Sequence, residues 1–190
     1  MTTSPSDLAD RFGQALLEIA RRSIETGLCE GKPVDVVPSD YPPELRVPCA
    51  TFVTLRRAGE LRGCVGGLEP RFPLVVDVAQ SAFRAAFHDY RLPSVTAVEV
   101  ADLEVHISVL GPLEPLPEES EASLIARLRP GIDGLVLREG ERQSTFLPAV
   151  WDTLPDPAGF IAELKQKAGL PAAYWSADLR FWRYGVASIP

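Results

Sequence analysis

The chain has 190 residues, 46% hydrophobic and 24% charged, with a formal net charge of −7. That is enough apolar residue for a packed core in one domain or two closely joined lobes, and too acidic a balance for a surface built mainly to bind nucleic acid. No apolar run approaches the roughly 20 residues that cross a membrane, and the first residues carry no basic-then-apolar leader pattern.

The expectation is therefore a cytoplasmic protein with no membrane span. The three cysteines, Cys29, Cys49 and Cys64, are odd in number and have no metal-knuckle spacing. They are expected as free thiols in a reducing compartment, with no disulfide framework, metal or cofactor.

Ser4-Pro5-Ser6-Asp7 reads as a helix start, with a hydroxyl cap, an early proline and an acid near the positive helix end. Leu8, Phe12, Leu16, Ile19 and Ile24 then recur at helical spacing, so one amphipathic helix is expected to end near Gly27. Residues 31 to 48 hold five prolines, which leaves room only for a short edge strand around Val34 to Val37. Thr51 to Arg56 reads as a strand, Arg57 to Glu60 as a turn and Leu61 to Gly66 as the returning strand.

A second helix opens at Pro73 and carries Leu74, Val75, Val78, Ala82 and Phe83 on its apolar stripe. It is expected to stop around His88 to Tyr90, because Pro93 disfavours helix just before it. Val98 to Leu110 alternates apolar and polar residues, the pattern of a half-buried antiparallel strand. A shorter helix follows from Glu118 to Leu128. Then come a hairpin from Leu135 to Leu147, a helix capped by Asp156 and stopped by Gly169, and a last strand from Leu179 to Tyr184. Tyr174-Trp175 and Phe181-Trp182 read as core and lobe-interface aromatics. Strands joined by hairpins and single helices, without regular alternation, point to an α+β fold with antiparallel pairing. No repeat or clear linker divides the chain: residues 1–5 read as a tail and 6–187 as the domain.

Leu61-Arg62-Gly63-Cys64-Val65-Gly66 carries the chemistry. A strand rarely tolerates so many glycines unless something approaches its backbone closely. With a period of two, Arg62, Cys64 and Gly66 share one face. The guanidinium beside the thiol would favour a thiolate. If the strand of residues 98–110 is a neighbour, His106 is placed to act as general base, oriented by Glu104 or Asp102. Backbone N–H groups freed by Gly63 and Gly66 would then meet an oxyanion. The alternative is that Cys64 is a small buried residue filling space. Arg62 has two readings as well: a fork for a ligand carboxylate or phosphate, or an internal ion pair with Glu69, Asp89 or Glu104. His88, Asp89 and Arg91 read as a structural knot at a helix end. The glycine spacing matches neither a dinucleotide fingerprint nor a P-loop.

The six-residue stretch resembles the Leu-Arg-Gly-Cys-Ile-Gly signature of the AMMECR domain family, which includes AmmeMemoRadiSam system protein A. The likeness continues through Ala85-Ala86, Asp89-x-Arg91-x-Pro93, Glu99, Phe146-Leu147-Pro148 and Lys167-Ala168-Gly169-Leu170. Val65 stands for the usual isoleucine. The resemblance implies a two-lobed α+β fold of antiparallel β-sheet with flanking helices. It also implies association with a Memo-like protein and a radical SAM protein, through a cleft at Leu61–Gly66. It supplies no reaction. Cys64 and His106 therefore stand as candidate catalytic residues, and Arg62, Gly63, Gly66 and Glu104 as candidate contacts to a small-molecule ligand.

Overall fold

The computed structural model describes residues 4–117 and 119–190. The chain divides into two compact units, one formed by the residues up to Gly111 with Ala187–Pro190, the other by Pro112–Val186. The fold is α+β, with two four-stranded sheets built from antiparallel pairs.

The first unit begins with α1 (Pro5–Glu30). Ser4 accepts from the Asp7 amide while the Asp7 carboxylate accepts from the Ser4 amide, a capping box that satisfies otherwise orphaned groups. The helix runs past Gly27 and ends where Gly31 adopts φ 69°. Gly27 does not break it, because a bare Cα is what lets the Phe83 and Phe87 rings press against α1.

Strands β1 (Thr51–Arg57) and β2 (Glu60–Gly66) form a hairpin whose two turn residues, Ala58 and Gly59, both have positive φ. Helix α2 (Leu74–Phe87) and strand β3 (Glu104–Leu110) follow. With β8 (Val186–Ile189) the sheet order is β2-β1-β3-β8, so β2 is an edge strand. Leu16, Ile19 and Ile24 of α1 and Leu74, Val78 and Ala82 of α2 form one core with Val53, Leu55, Val105, Ile107 and Val109 of the sheet. Each large aliphatic side chain fully buried in it contributes about 1.5–3 kcal/mol. Buried Asp77 in the first turn of α2 ties helix to sheet, accepting from the Thr51 amide at 3.0 Å and the Thr51 hydroxyl at 2.6 Å.

Two expectations change here. Residues 34–37 form no strand: the Val34 amide donates to Ser23 Oγ of α1, so this segment is held on a helix. The strand expected from Val98 begins only at Glu104, because residues 100–102 close a 3-10 turn.

The second unit holds β4 (Glu114–Leu116), α3 (Glu121–Arg127), β5 (Gly134–Glu139), β6 (Arg142–Phe146), α4 (Pro157–Lys167) and β7 (Arg180–Tyr184), with sheet order β4-β7-β5-β6. Glu118, the expected first residue of the third helix, lies outside the described residues. Trp151 stacks on Phe160 at 3.8 Å between ring centres and donates its indole N–H to the Asp133 carbonyl. Lys165 is fully buried and donates to Glu121 at 2.6 Å and to the Tyr174 carbonyl at 3.2 Å. Among the described residues, no helix is long and apolar enough to cross a membrane.

Candidate functional site

The signature strand β2 lies at the sheet edge, with one face toward α2. Gly63 sits where a Cβ would collide with the Ala85 carbonyl oxygen and stand 3.0 Å from its carbon. At Gly66 a Cβ would lie 2.6 Å from Phe52 Cα. These two glycines therefore permit contact with the protein's own backbone, helix on one side and strand on the other. Gly67 has open space around it.

The edge of β2 is clamped by the loop that follows α2. The Cys64 amide donates to Asp89 Oδ2 at 2.9 Å, and the Cys64 carbonyl accepts from Arg91 at 3.2 Å. Arg91 closes a fork on Asp89 with bonds of 2.8 and 2.6 Å. That guanidinium, followed by the Cys64 amide, holds the Asp89 carboxyl well below the usual carboxylate range despite its burial. An aspartate–arginine pair thus takes the place of a neighbouring strand at Cys64, which covers an edge that would otherwise invite pairing. The Cys64 N–H, next to Gly63, is thereby occupied.

Arg62 is equally engaged. It binds Glu99 through Nε at 2.7 Å and Nη2 at 3.0 Å, and the Pro93 and Ser94 carbonyls at 2.7 and 3.0 Å. Glu99 also accepts from the amide and hydroxyl of Thr96, both at 2.8 Å. Arg62 first, then Thr96, lowers the Glu99 pKa to about 2. The internal partner of Arg62 is Glu99, rather than Glu69, Asp89 or Glu104. A β-bulge falls at this position: Leu55 pairs with Gly63 and Arg56 with Leu61, so Arg62 is the extra residue of β2.

On the face of the sheet away from α2, Cys64 pairs with Thr54 and Thr54 with His106. The row therefore runs Cys64–Thr54–His106, with β1 between the strands of the thiol and the imidazole. Two strand spacings separate those residues, roughly 9–11 Å between backbones. Thr54 Oγ1 lies 3.3 Å from Cys64 Sγ. Glu104 Oε2 approaches His106 Nε2 only to 3.9 Å, and Asp102 faces Arg57 instead. Sequence reasoning did not single out Thr54. Its signal was its place in the strand opposite the signature, once the register is known. His88 lies edge-to-face with Phe83, 5.0 Å between ring centres, and takes no part in the clamp. Among the described residues, no group of three or more His, Cys, Asp or Glu is placed to hold a metal ion.

A cleft of about 490 Å³ opens beside the β1–β2 turn, lined by Arg57, Glu60, Leu61, Arg62, Glu99 and Asp102 with Ala58. Arg57 reaches Glu99 at 3.7 Å and Asp102 at 3.5 Å, longer than well-formed hydrogen bonds.

A family model described as AMMECR1 matches residues 17–189. A protein from Methanothermobacter thermautotrophicus is 37% identical over 178 residues, covering 90% of each chain. Protein PH0010 from Pyrococcus horikoshii is 37% identical over 189 residues, covering 93% of this chain and 88% of that one. The crystal structure of uncharacterized protein PH0010 superimposes with a TM-score of 0.85 at 34% identity, covering 93% of this chain and 90% of that one.

Proposed function

The chain belongs to the AMMECR1 family, and from that premise we propose that it is a binding component of an AmmeMemoRadiSam system. In this reading it meets a Memo-like protein and a radical SAM protein at the edge built on Leu61–Gly66. The observation that carries the reading is where the signature spends its polar groups. Arg62, Asp89, Arg91 and Glu99 all bind one another or nearby backbone. Meanwhile Leu61, Tyr90 and Val98, next to those clamped residues in the chain, are 43%, 95% and 80% exposed. A rigid frame presenting exposed aromatic and aliphatic side chains suits a docking edge, since such anchors carry much of the energy of an interface. Three free cysteines support the cytoplasm as the site of action.

The test uses purified Memo-like and radical SAM proteins from the same genome, titrated by calorimetry. Saturable binding of at least one is expected, weakened about tenfold or more by Tyr90→Ala with Val98→Ser and unchanged by Cys64→Ser. Binding of neither protein would remove the partnership. Wild-type affinity in the double variant would remove the edge as its seat.

A second reading, a thiol-dependent enzyme using Cys64 as nucleophile on a small carboxylate- or phosphate-bearing substrate, draws on the Thr54 hydroxyl 3.3 Å from the sulfur. It requires that folded Cys64 react with iodoacetamide with an apparent pKa below about 8.5, the free-thiol value. A Cys64 that stays unlabelled until the chain unfolds rules it out.

A further inference from the structure

The geometry points to a binding site for a small zwitterion, an ammonium and a carboxylate at α-amino-acid spacing, in the cleft beside the β1–β2 turn. The site goes beyond the docking edge and does not depend on it. Its volume of about 490 Å³ lies within the range of small-ligand pockets, roughly 300–1,000 Å³.

The charges on its walls fall into two groups. One wall is already balanced: Arg62 and Glu99 form a two-pronged pair at 2.7 and 3.0 Å, and both have further hydrogen bonds to the 93–96 loop. This wall is rigid and has little left to offer a ligand. The other group is loosely held. Arg57 stretches to Asp102 at 3.5 Å and to Glu99 at 3.7 Å, Asp102 is largely exposed, and Glu60 is exposed with no ion pair among the described residues. The cleft thus presents one guanidinium with weak contacts and two solvated carboxylates.

A simple anion drawn to Arg57 would also face Glu60 and Asp102. A simple cation drawn to those carboxylates would face Arg57. A molecule carrying both charges replaces the long Arg57–Asp102 contact with two short ones. Its carboxylate takes the planar fork of Arg57, and its ammonium takes Asp102 or Glu60. The half-exposed Leu61 side chain, on the same wall, offers apolar cover for the remainder of the ligand.

Calorimetry and amide NMR on the full chain test this with three probes at matched ionic strength: L-leucine, acetate and methylamine. Saturable binding of L-leucine is expected, with shifts at Ala58, Leu61 and Asp102. Acetate and methylamine should each bind at least about tenfold more weakly. Arg57→Gln and Asp102→Asn alter exposed side chains, so both variants should keep the native circular dichroism, and each should weaken L-leucine about tenfold or more. Acetate as tight as L-leucine would make this a plain anion site and overturn the inference. So would binding that both variants leave intact, or no saturable binding of L-leucine up to about 10 mM.

Discussion

Replacing Gly63 by alanine tests whether the signature glycine serves the fold or a visitor. The added methyl would overlap the Ala85 carbonyl oxygen and lie 3.0 Å from the Ala85 carbon, both backbone atoms inside α2. No flexible side chain can yield there. Either α2 shifts away from the sheet, disturbing the packing of Leu74, Val78 and Ala82, or β2 shifts and strains the Asp89 and Arg62 clamps. Overpacking of this kind costs about 1–3 kcal/mol. For a chain of this size that lowers Tm by roughly 2–12 °C. Gly67→Ala is the internal control: nothing lies within 4 Å of its Cβ position and its φ is not positive. It should stay within about 0.5 kcal/mol of the parent. Thermal and urea melts followed by far-UV circular dichroism measure both variants. If Gly63→Ala melts with Gly67→Ala, helix packing does not explain the glycine, and access of a ligand to the strand becomes the better account.

Three further outcomes follow from the geometry. Glu99 has a folded pKa of about 2 against an ordinary 4.5, so its stabilising contribution is full above about pH 4.5 and is lost as pH falls through about 2. The stability gap between the parent and Glu99→Gln should therefore close over that window in urea melts, and a gap constant down to about pH 2 contradicts the pairing with Arg62. Burial, with the Asp77 carboxylate as a second cause, pushes the Cys49 thiol pKa up, whereas Cys29 is exposed. Iodoacetamide followed by peptide mass mapping should label Cys29 well before Cys49, and the reverse order would show that Cys49 is not shielded as described. In the second unit, Glu121→Ala strands a fully buried ammonium and should cost about 3 kcal/mol or more, while Lys165→Met leaves only a part-exposed carboxylate and should cost less. Equal losses in the two melts would refute that asymmetry.

The clamp alters how the signature is understood. Arg62 and Gly63 beside a cysteine suggested chemistry, because a packing role for Cys64 alone would not call for them. The fold supplies another reason. Gly63 admits α2 at Ala85, Cys64 offers its amide and carbonyl to Asp89 and Arg91, and Arg62 straps the loop from Pro93 to Glu99. The separate motifs of the family resemblance, from the alanine pair to Glu99, are thus the parts of one joint around an edge strand. The thiol itself stays outside that joint: it accepts from the Thr54 hydroxyl, in the row that continues to His106.

Local pattern was enough to read the two main helices, the β1–β2 hairpin and the polar-faced strand ending at Leu110, because 3.6-residue and two-residue periods are written directly in the order of apolar residues. The same residues announced that Gly63 and Gly66 needed close approach, but not by what. Long-range pairing settled the rest. Periodicity carries no record of which strand lies beside which, so nothing local placed β1 between the strands that carry Cys64 and His106, at about 4.8 Å per strand. Nor could spacing choose Glu99 as the partner of Arg62: the two are 37 residues apart, and Arg62 is the extra residue of a β-bulge that breaks the two-residue period. The short strand β8 escaped for a related reason, since four residues become a strand only when β3 is there to pair with them.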